Sequence, residues 1–297
     1  MAAASCVVEH PGGHSGGDSG SMNGDVVLRT QADVDALAHV TSVAGNVIVD
    51  STTLTSVVLP SLESVGGFEC QEDATAPCTL TTLSLPALQT VGEGIEVDDF
   101  HLTTFELPVL RTAVSVSLAN MNRVSLPKLA TCTRGAFNFT ANSQPTLISL
   151  PTLTTCNLTM EWIGPDVDLS AFASGNIQIE QGSTPVLMLP SMTHGELAIE
   201  DTAITSIEVP KLASGTVMLI GDDELTTIDL SALRSGGITL EDNAKLASAT
   251  VLASASVSQL DIVNNPSFPS CAALALWNVL GKPPGEISNN DATASCP

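Results

Sequence analysis

The chain repeats itself, and that repeat restricts the fold more than any other property of the sequence. Residues 80–110 read Leu-Thr-Thr-Leu-Ser-Leu-Pro-Ala-Leu, then a Gly-bearing turn, then the alternating pair Ile95 and Val97, then Asp98 and Asp99; at Leu102 the phrase resumes. The phrase returns as Val58-Leu-Pro-Ser-Leu62, Leu107-Pro-Val-Leu110, Leu126-Pro-Lys-Leu129, Leu150-Pro-Thr-Leu153, Leu189-Pro-Ser-Met192 and Val209-Pro-Lys-Leu212. Leu169-Ser-Ala-Phe172 and Leu230-Ser-Ala-Leu233 carry Ser in place of Pro. There are about eleven copies at a spacing of roughly 18–26 residues, so each unit can bury its apolar face only by stacking on its neighbours.

The second half of each unit alternates with period two: Ile95/Val97, Val114/Val116/Leu118, Phe137/Phe139, Leu158/Met160, Ile177/Ile179, Leu197/Ile199, Val217/Leu219, Ile238/Leu240 and Leu260/Ile262. Alternation places these side chains on one face of a strand. Proline lacks an N–H and weakens a central strand, so prolines at one phase predict a corner. Gly67, Gly92, Gly94, Gly175, Gly195, Gly215 and Gly236 predict a second corner. The remaining half of the unit is rich in Pro, Thr, Ser and β-branched residues, all poor helix formers. That favours an all-β coil over the strand–helix unit of horseshoe-type leucine-rich repeats. Only 3% of the residues are aromatic and none is Tyr, which suits narrow stacked coils.

Residues 1–26 are predicted to be a flexible leader containing His10 and His14, and residues 27–297 a single capped repeat domain. Within it, 27–53 form the N-terminal cap and first coil, 54–267 the repeats and 268–297 the C-terminal cap. Thr30 is expected to cap a short helix ending at Leu37, with Asp33 closing a capping box and Val34 and Leu37 facing inward. Ser270 is expected to cap a helix from Cys271 to Leu280, ended by Gly281 and Pro283-Pro284.

The seven Cys sort into local pairs. Cys132 and Cys156 follow the same phrase in successive units. Equivalent residues of stacked coils lie about 4.8 Å apart, within the Cα separation of roughly 4.4–6.8 Å that a disulfide spans. Cys70 and Cys78 bracket an insertion, and Cys271 and Cys296 bracket the C-terminal cap. Cys6 is left over; Ala-Ser-Cys6 is similar to the end of a bacterial lipidation site, a slight pointer to lipid attachment. Such pairing implies an oxidising compartment.

Asp plus Glu number 32 against 9 Lys plus Arg, a formal charge of −23. That balance argues against nucleic-acid phosphates and anionic lipid as partners. It fits a soluble extracellular surface, a divalent-cation surface or a basic partner. No apolar run is long enough to span a bilayer, which takes about 20 residues, and the N-terminus is not a complete signal peptide. The expected location is secreted or cell-surface, the signal sequence being absent or removed.

Candidate sites are few. Acidic residues recur just after the alternating strands: Asp50, Asp98, Asp99, Glu180, Glu200, Asp201, Asp222, Asp223, Glu241 and Asp242, with Asn264 in phase. Stacking turns equal phase into a column, and Asp98, Glu180, Glu200, Asp222 and Glu241 are the row with which Ca²⁺ could be held. The glycine-rich Ca²⁺ repeat G-G-x-G-x-D is absent, and solvated turn residues at a corner explain the same spacing. No metal and no cofactor is expected. A second row, Thr81/Thr82, Thr103/Thr104, Thr205/Ser206 and Thr226/Thr227, is of the kind that orders water on ice-binding faces, but Arg123, Val124, Leu147 and Ile148 interrupt it. His39, His101 and His194 fall in different units. Arg111, Arg123, Arg134, Arg234, Lys128 and Lys211 are scattered rather than gathered as in carbohydrate-cleaving β-helices. No catalytic constellation emerges. Asn138-Phe-Thr140 and Asn157-Leu-Thr159 match the glycosylation acceptor.

A Thr-Gln-Ala-Asp-Val-Asp-Ala-Leu helix, the Val40-Thr-Ser-Val-Ala-Gly-Asn-Val-Ile-Val49 stretch, repeated Leu-Thr-Ser/Thr-Leu-x-Leu-Pro-x-Leu phrases and a Cys-bracketed cap together resemble the receptor L-domain. They also resemble the L-domain-like, leucine-rich repeats of fungal cell-wall and secreted bacterial surface proteins. The resemblance covers residues 27 to 296 and implies a right-handed parallel β-solenoid of about eleven short coils with a short helical cap at each end. It further implies a non-enzymatic binding or structural module that meets glycan or protein through an exposed sheet face. The alternatives are a carbohydrate-active β-helix enzyme and an ice-binding protein. The resemblance carries no binding residues over, because the family has no fixed binding motif.

Overall fold

The structure is a computed structural model that describes residues 20–70, 78–98, 101–140 and 147–294. It is an all-β, right-handed parallel solenoid of about 12 turns with two helices among the described residues. Its contacts divide the chain into two compact units, Met1–Gly135 and Ala136–Pro297.

In the first unit the long strands Ser42–Val49, Ser64–Cys70, Thr90–Asp98 and Thr112–Ala119 pair in parallel, each with the next in sequence. Their inward residues stack in register as Val47, Phe68, Ile95 and Val116. Short strands make a second wall, Ser56–Val58 beside Thr82–Ser84 and Thr104–Glu106 beside Arg123–Ser125. The second unit repeats the plan with Thr155–Ile163, Ile177–Gly182, His194–Thr202, Ser214–Ile220, Ser235–Glu241, Ser256–Val263 and Ile287–Ser288. There the inward stack runs Leu158, Ile177, Leu197, Val217, Ile238 and Leu260.

The repeated leucines face this interior. Leu85, Leu107, Leu126 and Leu150 are at most 2% exposed, and burying each contributes about 1.5–3 kcal/mol. The proline phase is a corner, as expected. In each of these phrases the N–H of the last residue bonds the carbonyl of the residue before proline: Leu62 to Leu59 (3.4 Å), Leu88 to Leu85 (3.2 Å), Leu153 to Leu150 (3.1 Å) and Leu212 to Val209 (3.1 Å). Proline sits second in this β-turn, where its fixed φ fits and no N–H is required.

The expected glycine corner is corrected. Gly67, Gly92 and Gly94 lie inside long strands at register shifts, between Val65 and Phe68 and between Val91 and Gly94. Such a bulge bends the strand rather than ending it, and it turns Val114 outward while Ala113 takes the buried place. In the second unit Gly195, Gly215 and Gly236 stack in register with φ between 132° and 145°. A Cβ on any of them would collide with the carbonyl of the glycine before it in the stack. The second corner belongs instead to single left-handed residues at the strand ends: Asn120, Gln181, Asp201, Asp242 and Asn264, with φ between 53° and 64°. Asn and Asp tolerate that conformation, which accounts for Asp201 and Asp242 in the periodic acidic row.

Helix α1 (Gln31–Ala36) has Thr30 as its N-cap in a complete capping box with Asp33, and Val34 and Leu37 are buried. Helix α2 (Ser270–Val279) departs from expectation: its N-cap is Pro269 and Ser270 is its first residue. The Ser270 N–H instead donates to the Asp291 carbonyl at 2.8 Å. Gly281, at φ 81°, follows the end of the helix as expected. Cys70 and Cys78 form a disulfide with Cα atoms 5.7 Å apart. Cys132, Cys156 and Cys271 are also disulfide-bonded. Cys6, Cys296, Asp99, His10 and His14 lie outside the described residues.

Candidate binding face

Every second residue of a long strand points outward, so register alone decides which polar side chains become neighbours. In the second unit, Glu161 lies opposite Glu180 and Glu180 opposite Glu200. Ile220 follows in that column and Glu241 after it. The sequence-predicted row is therefore partly assembled: Glu180 and Glu200 are adjacent, and Glu241 is separated from them by Ile220. Asp98 lies in the first unit, opposite Ala119, where its Oδ1 accepts from Asn120 Nδ2 at 3.1 Å. Asp222 stands beyond the strand end with its side chain buried. Glu161 belongs to the column but escaped the sequence reading; its place directly after Met160, in the outward phase of the Leu158 and Met160 alternation, was the available signal. Among the described residues no three His, Cys, Asp or Glu side chains converge as a metal-binding set.

Two further outward columns flank the carboxylates. Thr159, Gln178, Ala198 and Met218 are in mutual register. Asn157, Asn176 and Glu196 are tied by side-chain-to-backbone bonds: Asn157 Oδ1 accepts from the Asn176 N–H (3.2 Å) and Asn176 Oδ1 from the Glu196 N–H (3.3 Å). Gln178 Nε2 donates to Glu180 Oε1 at 2.7 Å. Members of these columns, Glu200 among them, line a shallow concavity of about 350 Å³. Burial, reinforced by the charges of Glu180 and Asp201, raises the Glu200 carboxyl above the usual glutamate range. The face thus offers planar amides that donate and accept beside carboxylates that accept.

The strand-end corner of the second unit's later coils contains a largely buried polar ladder. Asn243 Oδ1 accepts from the Asp222 N–H (2.9 Å), Asn265 Oδ1 from the Asn243 N–H (3.1 Å) and Asn290 Oδ1 from the Asn265 N–H (3.1 Å). The amide nitrogens of the same three residues donate to the strand carbonyls of Leu219, Leu240 and Ile262. The ladder satisfies backbone groups that would otherwise be orphaned at a buried corner.

Other candidates are dispersed. His39 and His101 are exposed in the first unit and His194 is exposed in the second. His194 Nδ1 lies 2.9 Å from Thr193 Oγ1, without a carboxylate orienting the ring among the described contacts. The threonine row sits on short strands where Thr104 is opposite Arg123, itself paired with Glu106 at 2.9 Å. In the second unit the same wall exposes Val186 and Met188. It is a broken, mixed surface rather than a flat threonine one. Asn138 and Asn157 are both exposed.

These observations define a parallel β-solenoid protein with one polar, carboxylate- and amide-bearing sheet face in its second unit. No family model matches the chain, and neither a curated protein nor a solved structure is significantly similar to it.

Proposed function

We propose that the protein is a non-enzymatic binding module that holds a glycan chain on the outer face of the long-strand sheet in its second unit. The observation that carries this reading is the register-matched set Asn157/Asn176/Glu196, Thr159/Gln178 and Glu161/Glu180/Glu200. Paired amide and carboxylate groups suit the vicinal hydroxyls of a sugar, and a repeating array suits a repeating ligand. The resemblance of the repeats to receptor L-domains and to cell-wall surface proteins agrees with it. So do the disulfides, which favour a secreted or cell-surface location. The acidic surface makes nucleic acid an unsuitable partner, and no helix among the described residues is long and apolar enough to cross a membrane. A glycan array probed with the intact chain tests the proposal. Retention of a polysaccharide class that is lost in Gln178→Ala and Glu180→Ala supports it; retention unchanged in both variants, or none on any glycan, refutes it.

A further inference from the structure

The buried corner ladder contains one member of the wrong chemistry. Asn243, Asn265 and Asn290 each do two things: the side-chain oxygen accepts from a backbone N–H of the coil before, and the side-chain nitrogen donates to a strand carbonyl of that coil. Asp222 occupies the next place in the series. Its Oδ1 performs the first task, accepting from the Thr202 N–H (3.0 Å) and from Thr202 Oγ1 (2.6 Å). Its Oδ2 holds the place of the amide nitrogen, is buried, and has no hydrogen-bond partner. Leu219, Leu240 and Ile262, the carbonyls used by the asparagines, are in register with one another, and Ile199 is their counterpart one strand earlier. An ionised carboxylate can only accept, and a second oxygen aimed at a carbonyl is repelled.

We propose that Asp222 works as a neutral carboxylic acid whose Oδ2–H donates to the Ile199 carbonyl, making this corner a proton-dependent lock in the solenoid. The charges of Glu200 and Asp201, on the strand packed against it, favour the same protonation. Glu200 and Asp201 precede it, Asp223 is on its own turn, Glu241 ends the following strand and Asp242 comes just after it; all are carboxylates. Lys245, on the turn of the following coil, is held by Glu224 at 2.6 Å. Burial first, then the charges of Asp201 and Glu200, push the carboxyl from 3.8 up to about 6, against the lowering effect of the Thr202 bonds. The folded state therefore keeps a proton that the unfolded chain has lost. The lock is complete below the ordinary aspartate range, weakens as pH rises through about 6, and is open above it. This inference stands apart from the glycan reading, since it concerns the stability of the corner and not what the face holds.

The test compares thermal melts of the intact chain and its Asp222→Asn variant from pH 4 to pH 8. Asparagine supplies the missing donor at every pH. The expected result is nearly equal melting temperatures at pH 4 and a gap favouring Asp222→Asn that opens through pH 6, reaching several degrees (about 4 °C or more). A gap that is constant with pH, or that favours the unsubstituted chain at pH 8, overturns the proposal. A carboxyl-carbon NMR titration of Asp222 in the unsubstituted chain gives an independent reading. A midpoint near 6 supports the lock; a midpoint within about one unit of the ordinary aspartate value overturns it.

Discussion

Trp162 is the residue most out of keeping with its place. It occupies a left-handed strand-end corner at φ 57° and is 45% exposed, whereas the corresponding corners of the same unit hold Gln181, Asp201, Gly221, Asp242 and Asn264. A bulky side chain in that conformation costs about 1–2 kcal/mol. Replacing Trp162 by Asn should therefore raise stability by about 1 kcal/mol, measured as a higher midpoint in urea with an unchanged slope. Asp222 is its counterpart in the interior. A shift from 3.8 to about 6 corresponds to about 3 kcal/mol of stability that is present below about pH 4 and lost progressively as pH rises from there through about 6. Near the N-terminus the sign reverses. The Asp33 carboxyl is held below its usual range, chiefly by the Arg29 N–H, so its contribution is present at neutral pH and lost on acidification. Thr30→Ala, which removes the reciprocal cap, should cost about 1 kcal/mol, seen as a lower melting temperature at pH 7.

At the scale of the element, stacked glycines are a stricter requirement than the leucines. The positive φ of Gly195, Gly215 and Gly236 and the approach of each to the carbonyl before it leave no room for a side chain. Gly215→Ala should destabilise by more than about 3 kcal/mol, enough to show as loss of the cooperative melt by circular dichroism. The strands and proline turns were legible in the sequence because period-two alternation and Leu-Pro-x-Leu are local signals. The glycines were legible as special positions but not as bulges and close approaches, because a strand kink and a corner demand the same residue. Glu161 was legible as an outward strand position, but its joining with Gln178 and Asn176 into one face was not, because only register brings outward residues of different strands together. Asp222 was misread with the acidic row, since a buried acid and a solvated turn acid are written with the same letter.

At the scale of the whole molecule, charge opposes the fold. A net −23 with few cations makes the compact state repel itself, and salt screens that repulsion over about 10 Å at 0.1 M. Raising NaCl from about 0.02 M to about 0.5 M should increase the melting temperature by a few degrees; an unchanged value would show that the acids are already compensated.

The Cys70–Cys78 bridge has one more outcome. It closes a detour in the chain at a Cα separation of 5.7 Å, so departure and return lie about as close as two neighbouring strands. The bridge fixes the two ends of the intervening chain at that distance whatever sequence is written between the two cysteines. Because the cost of closing a loop grows slowly with its length, lengthening the stretch between Cys70 and Cys78 by about a dozen residues should leave the melting temperature of the solenoid within about 1 °C.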